Sequence, residues 1–358
     1  TTMTYAAEAQ IVRELGKFLM NGGLYKGSKP VMWSVVEKTA LAEAEVEYHD
    51  HTSYTIWVKF PVVKTSLSAL HGTSIVIWTT TPWTMPGNRA IAYGADFDYV
   101  LVVASRVGGK TLTKEGDRFV VVKELVEDVC RSADIVEYQE LATFKGAELA
   151  GTICHHPLRA GGYDFEVPLL AGGFVTTDTG TGFVHIAPGH GEDDWHLGRE
   201  HGVPVPETVG DEGTYLALLP MFAGKHVYKV HGEVIQAMQE AGALLAHGKI
   251  IHSYPHSWRS KAPLIFRNTP QWFISMDTNE LRAKALTAID DTRWVPAGGR
   301  NRIFAMVEGR PDWCVSRQRA WGVPITVFVN KATGEPLRDP DVLARIVEAV
   351  EVEGADAW

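Results

Sequence analysis

Between Val46 and Ala187 the chain is written in short runs of β-branched and aromatic residues, a texture that limits the possible folds more than any other feature. Tyr54–Phe60, Ser74–Trp78, Tyr99–Val103 and Arg118–Val122 read as strands, separated by Gly, Pro, Asp or polar turns. Many short strands at this spacing predict a barrel or sandwich, mainly β with helices, an α+β class. Helical patterns punctuate the strands at Lys123–Ser132, at Glu192–His201 and at Glu233–Leu245, the last with Val234, Ile235, Met238 and Leu245 as its buried stripe. A further helix opens the chain, with Thr4 placed to cap it. Ile11, Val12, Leu15, Phe18 and Leu19 form its apolar face and Asn21-Gly22-Gly23 its end. After about residue 250 aromatic and basic segments take over, Tyr254–Arg259, Pro263–Phe273 and Gly309–Pro324, and Asp277 with Glu280 has capping-box spacing.

Within the β region the run Trp78-Thr79-Thr80-Thr81-Pro82-Trp83-Thr84-Met85-Pro86-Gly87-Asn88 puts four threonines and an asparagine where a strand breaks into a proline-bounded loop. Threonine suits a strand because it is β-branched. Two prolines within five positions end sheet pairing, however, so the hydroxyls after Trp78 cannot all be ladder positions and some face a cavity or solvent.

A length of 358 residues with 45% hydrophobic content allows two or three domains. No apolar run approaches membrane-spanning length and the N-terminus is not a signal peptide, so a cytoplasmic protein without a membrane partner is expected. Cys130, Cys154 and Cys314 lie far apart, which suits a reducing compartment. The net charge of −9 is unevenly spread: residues 251–330 carry 11 Lys/Arg against 6 Asp/Glu, net +5. Such a local basic face is enough to hold phosphates, and a solvated mixed-charge surface gives a similar count.

A second motif lies about a hundred residues downstream: Gly180-Thr181-Gly182-Phe183-Val184-His185-Ile186-Ala187-Pro188-Gly189-His190-Gly191-Glu192-Asp193-Asp194-Trp195. Together the two runs resemble the signatures of the editing domain in the isoleucyl-tRNA synthetase family, an insertion that hydrolyses mischarged valyl-tRNA. The resemblance extends along nearly the whole chain. Valyl and leucyl relatives usually carry an Arg and an acidic residue around the first-motif proline, where this chain has Thr81-Pro82-Trp83-Thr84. The resemblance implies a barrel-like editing domain at 46–250, preceded by an entry segment at 1–45 and followed at 251–358 by a helical and mixed segment returning towards the catalytic core. The implied partners are the acceptor end of isoleucine tRNA, its mischarged valine and the rest of the synthetase. Neither a His-Ile-Gly-His type signature nor a Lys-Met-Ser-Lys-Ser loop occurs between Thr1 and Trp358. A fragment of a longer enzyme is therefore expected, needing no cofactor for editing, with ATP and Mg belonging to the full-length enzyme only.

Many members carry two Cys-x-x-Cys pairs forming a split zinc site. The matching places here hold Ser34-Val35-Val36-Glu37 and Ser257-Trp258-Arg259-Ser260. Without thiolates the site has lost its strongest ligands, so no zinc is expected, while the two segments are expected to pack together. His155, His156, His185, His190 and His196 lack a matched carboxylate or thiol set, so no metal site is assigned to them.

The resemblance assigns His185 a steric role, excluding the larger side chain, whereas the residues alone favour a hydrogen-bonded core histidine. It assigns Asp194 the substrate's α-ammonium; a charge at the N-terminus of the helix opened by Glu192 is the plainer reading, and the two are compatible. Thr79, Thr80, Thr81 and Thr84 supply hydroxyls around the ester and terminal adenosine, with Asn88 as an amide partner. Trp83, Gly182 and His190 join the substrate-binding set by their place in the two motifs. No Ser-His-Asp or Cys-His set points to a covalent route, so direct attack by water is expected, with His185 as general base the competing account. A passive RNA-docking module and a metal hydrolase on a β scaffold are the alternatives from other classes.

Overall fold

A computed structural model describes residues 2–109, 111–318 and 322–358. In chain order the elements are α1 (Tyr5–Met20), β1 (Leu24–Ser34), β2 (Thr39–Ala40), β3 (Val46–Lys64), β4 (Ser74–Thr79), β5 (Ala90–Tyr93), β6 (Asp98–Val107), β7 (Arg118–Val122), α2 (Val126–Ser132), β8 (Ile135–Lys145), β9 (Ile153–His155), β10 (Glu166–Ala171), β11 (Phe183–Ile186), α3 (Glu192–Glu200), α4 (His231–Glu240), β12 (Leu244–Ser257), β13 (Ile265–Ile274), α5 (Leu281–Asp291), α6 (Gly298–Glu308), β14 (Trp313–Cys314) and α7 (Pro340–Glu353). The chain forms two compact units, Lys29–Thr269 and Thr1–Ser28 with Pro270–Trp358. Composition divides the sequence at 45 and 250, whereas the units divide it inside two strands, β1 and β13.

In the larger unit β3, β9, β10, β5, β11 and β4 pair in that order, and β4 returns to β3, giving a barrel-like ring. Ring closure is possible because β3 is long: Ile56–Pro61 pair with β4, while Val62 and Lys64 pair with β9. Period-two alternation on β3 buries Ile56, Val58 and Phe60 completely and leaves Trp57 and Lys59 half-buried on the opposite face. Ile75 and Ile77 of β4, Ile91 of β5 and Ile186 of β11 are also fully buried. Each such side chain contributes about 1.5–3 kcal/mol relative to exposure, so the ring is held chiefly by apolar burial.

Strand order places the two motifs. β11 lies between β4, with which it runs parallel (Val184 opposite Trp78), and β5, with which it runs antiparallel (His185 opposite Ile91). The loops that leave β4 and β11 therefore emerge at the same edge of the sheet, although about a hundred residues separate them.

Three elements differ from their sequence patterns. The helix expected over Glu233–Leu245 spans His231–Glu240, and Leu245 is instead a buried residue of β12. The aromatic segments at 254–257 and 265–273 are strand, and β12 runs antiparallel to β3 from Leu244 to Ser257 in a long two-stranded ribbon. Alternation is obscured there because both faces of the ribbon carry His, Tyr and Ser. Asp277 does not cap a helix: Asn279 and Glu280 adopt left-handed conformations, and α5 begins only at Leu281. Of the segment Gly309–Pro324, residues 319–321 lie outside those described.

In the smaller unit α1 packs against α7 through Ala9, Val12, Val347 and Val350. Helix α7 is opened by Asp339, whose carboxylate accepts from the N–H groups of Asp341 (2.9 Å) and Val342 (3.1 Å), with Pro340 at the first turn.

Gly182 turns the chain into β11 with φ +75°, and a Cβ there would lie 2.3 Å from Val122 Cβ. Its carbonyl accepts from Tyr99 Oη at 2.6 Å. Strain and overlap act together, so Gly182→Ala is expected to lower unfolding free energy by about 2 kcal/mol or more, read from urea denaturation. An unchanged midpoint would contradict this account of the turn.

Candidate active site

The loop after β4 is a short helical turn, Pro82–Gly87, whose residues are all buried. It delivers Thr81, Thr84 and Asn88 onto His185 of β11. Thr79 Oγ1 lies 3.2 Å from Thr81 Oγ1, which lies 3.2 Å from Thr84 Oγ1. Thr84 Oγ1 is 3.0 Å from His185 Nε2, and Asn88 Nδ2 is 2.8 Å from His185 Nδ1. Thr80 is half-buried and its hydroxyl has no hydrogen-bond partner among the described residues.

Donor and acceptor roles follow from the backbone contacts. Asn88 Nδ2 faces the carbonyls of Ala90 (2.9 Å) and Ile186 (3.4 Å), which orients the amide with its NH₂ towards His185. Nδ1 of His185 therefore accepts, and Nε2 carries the proton. Thr84 donates to the Thr81 carbonyl at 2.8 Å, so its oxygen is free to accept from His185 and from Thr81. Thr81 accepts from Thr79 in turn, making a one-way chain of hydroxyls that meets the His185 N–H at Thr84 and ends on the Thr81 carbonyl.

Burial pushes the His185 imidazole down to about 3; His156 and His190 act in the same direction, and only the Thr84 contact opposes them. His185 is 8% exposed with both ring nitrogens engaged, so it has neither a free lone pair nor the basicity to take a proton near pH 7. His156 is likewise pushed down to about 4, chiefly by burial, and is hydrogen-bonded to the Met85 carbonyl at 3.1 Å.

Asp194 sits in the first turn of α3, partly buried beneath Gly191, where a Cβ would lie 3.0 Å from its Cγ. Its Oδ2 accepts from the N–H of Ala187 at 2.7 Å, two residues beyond His185. Burial pushes its carboxyl up to about 7, with the Ala187 N–H opposing and Asp193 adding to the rise. A carboxylate so placed is short of positive charge, and a cation arriving beside it is favoured by that deficit.

The other candidates divide. His190 accepts from Thr208 Oγ1 (2.6 Å) through Nε2 and donates to the Phe266 carbonyl (2.8 Å) through Nδ1. The buried Trp83 meets it edge to face at 4.9 Å between ring centres. Trp83 and His190 thus form a wall beside the threonine loop. Gly182 packs on Val122 and Tyr99 and belongs to the turn before β11. His155 is drawn to Arg159, and His196 is 3.9 Å from Glu192. Among the described residues no group of three His, Cys, Asp or Glu side chains is placed to hold a metal ion.

The serine-bearing segments do meet. Ser257 Oγ donates to Glu37 Oε1 at 3.2 Å, Ser34 Oγ donates to the other carboxylate oxygen, and Glu37 N–H donates to Ser34 Oγ at 3.2 Å. Burial opposes the Glu37 charge, but the hydroxyls of Ser34, Ser260 and Ser257 outweigh it and hold the carboxyl below its usual range. Arg89 and Tyr99, which the sequence reading passed over, also border the motifs; Arg89 adjoins Asn88 inside the first run, and Tyr99 bonds the turn of the second.

The chain belongs to the tRNA synthetases of class I (I, L, M and V), whose family profile matches residues 1–358. Among curated relatives, the isoleucine--tRNA ligase of Gluconobacter oxydans is 53% identical over 371 residues, and that of Pelagibacter ubique 52% identical over 361. Each alignment covers 100% of this chain, which spans 39% of the relative's length. Among solved structures, the GlLeuRS-CP1 crystal structure superposes with a TM-score of 0.42 at 13% identity, covering 54% of this chain and 99% of that one, too loose a match to bear on function.

Asp194 gives a pH dependence whose sign is fixed. Its folded pKa of about 7 exceeds the ordinary 3.8, so the folded state holds the proton more tightly and the ionised form opposes folding. That penalty is complete above pH 7 and disappears as pH falls towards 4. Asp194→Asn is therefore expected to stabilise the protein at pH 8 by on the order of 1 kcal/mol, discounted for partial exposure, and the gain is expected to vanish near pH 4. Urea unfolding at the two pH values measures it, and a pH-independent difference contradicts the assignment.

Proposed function

We propose that the chain is the hydrolytic proofreading part of an isoleucine--tRNA ligase, cleaving valine from mischarged isoleucine tRNA by direct attack of water on the aminoacyl ester. The reading rests on one observation above all. A hydroxyl chain, Thr79–Thr81–Thr84, is met at Thr84 by a neutral histidine at the edge of the sheet where Asp194 also stands. The curated isoleucine--tRNA ligases that match the whole chain support the class of substrate.

In this scheme Asp194 receives the α-ammonium, which supplies the positive charge its buried carboxyl lacks. The threonine hydroxyls position water and polarise the ester, an activated bond that needs orientation and oxyanion donors more than a strong nucleophile. A protein base is not required of His185, whose lone pair is committed to Asn88. Its buried ring instead acts as a rigid wall that admits valine and turns away the larger isoleucine. Discrimination by one methylene needs such a second sieve, as the established case of this enzyme family illustrates. ATP and Mg belong to amino-acid activation in the longer enzyme, and the cytoplasm is the compartment this role implies.

Deacylation of valyl- and isoleucyl-tRNA by the wild type and two variants tests the scheme. His185→Ala is expected to keep valyl-tRNA hydrolysis within about tenfold and to gain attack on isoleucyl-tRNA; a loss on the order of 100-fold restores the general base. Asp194→Ala is expected to lose valyl-tRNA hydrolysis by roughly 100-fold, as expected when a charge-assisted anchor and its orientation are both removed. Chelator is expected to leave the rate unchanged. Tight RNA binding without any hydrolysis by the wild type would identify a passive docking module instead.

A further inference from the structure

Arg89 follows Asn88 directly, and nothing in the scheme above uses it. Its N–H still bonds the Ile186 carbonyl at 2.9 Å, continuing the β5–β11 pairing in which His185 stands opposite Ile91. Arg89 immediately precedes β5, and its charge reaches His156 and His190, where burial first and then this charge push both imidazoles down.

The guanidinium is fixed without being neutralised. It lies 4.4 Å from the centre of the Phe165 ring, and Nη1 alone donates to the carbonyls of Pro86 (3.3 Å) and Asn88 (2.5 Å). Arg89 is partly buried, yet among the described residues it has no carboxylate within ion-pair distance, and its Nε and Nη2 have no hydrogen-bond partner. A half-buried cation held by an aromatic face and two carbonyls leaves one unfilled edge, the Nε–H/Nη2–H fork that matches two oxygens of a phosphate. Asp194, the acidic residue of the candidate site, accepts from the Ala187 N–H and is not among the ion-pair partners of Arg89.

We propose that Arg89 is the phosphate receptor of the site, taking in bidentate fashion a backbone phosphate of the polynucleotide end that carries the ester. The assignment rests on the hydrolytic reading above and adds to it a residue that separates a polynucleotide substrate from a small aminoacyl ester. Asp194 and the threonines address the aminoacyl group, and Arg89 addresses the strand that brings it.

The test uses Arg89→Met, which keeps length and apolar contact with Phe165, and Arg89→Lys, which keeps charge without the fork. Binding of an uncharged RNA minihelix ending in CCA is measured by anisotropy across a salt series. Hydrolysis of valyl-tRNA is compared with that of valyl-adenosine, which has no phosphate. Arg89→Met is expected to weaken minihelix binding about tenfold and to make the log–log salt dependence shallower by about 0.7, one phosphate's worth for a single strand. Its preference for valyl-tRNA over valyl-adenosine is expected to fall about tenfold, with partial recovery in Arg89→Lys. Unchanged minihelix affinity and salt slope overturn the proposal. So does an equal loss on both esters accompanied by a lower unfolding midpoint, which would make Arg89 a brace for the loop. If the wild type leaves both esters intact, the hydrolytic reading fails, while the minihelix and its salt slope still decide the role of Arg89.

Discussion

The pairing of β11 parallel to β4 and antiparallel to β5 is the constraint from which the candidate site follows. Parallel neighbours send their loops off the same edge, so the threonine run after β4 and the Pro188–Asp194 segment after β11 meet with no special device to bring them together. The His185 side chain is then presented to Thr84 and Asn88 by strand alternation, and the Ala187 N–H, no longer needed for a ladder, is free to hold Asp194. A slip of one residue in the β11 register would turn His185 away from the loop and remove all of these contacts at once. The bend at Gly182, locked by Val122 and Tyr99, guards against that slip by fixing where β11 starts.

Electrostatically the two motifs are tuned by burial. His185 is buried and weakly basic and Asp194 is held weakly acidic, in both cases chiefly by desolvation, so near pH 7 Arg89 carries the fixed charge beside the two motifs. In the proposed scheme the charge that complements Asp194 and Arg89 comes with the substrate, an ammonium for one and a phosphate for the other. A site tuned this way favours ligands that carry both charges at the right separation, a form of selection independent of side-chain size.

Much of this was legible in the sequence, and the unread parts have physical causes. The β3 run announced itself because one of its faces is fully buried, which enforces alternation, and β4 because Ile75, Val76 and Ile77 are buried on both faces and make a continuous apolar run. β12 was hidden because a two-stranded ribbon exposes both faces and lets histidines and tyrosines occupy either; the pattern that marks a strand depends on one side being dry. Glu280 was misread because a carboxyl three residues after Asp277 signals a cap only if the intervening backbone is helical, and Asn279 and Glu280 are left-handed. The threonines, His185 and Asp194 stood out by type and motif. Arg89 did not: an arginine after a loop reads as solvated until the structure lays it on Phe165 with no acidic partner among the described residues.

The serine–glutamate cluster joins two segments far apart in sequence through one carboxylate. A metal joins two segments by coordinating several donors at one point, and a carboxylate does the same by accepting hydroxyls from both sides. Glu37 occupies that central place, taking Ser34 from its own segment and Ser257 from the end of β12. Hydroxyls donating to a charged acceptor are among the stronger hydrogen bonds, and the depressed acidity of Glu37 is the expected signature of that donation. The arrangement also explains why serine suits these positions despite being a poor metal ligand: the central group is an anion in place of a cation, so the surrounding groups must donate protons where thiolates would donate lone pairs. Ser34, Glu37, Ser257 and Ser260 provide such a set, one acid surrounded by donors.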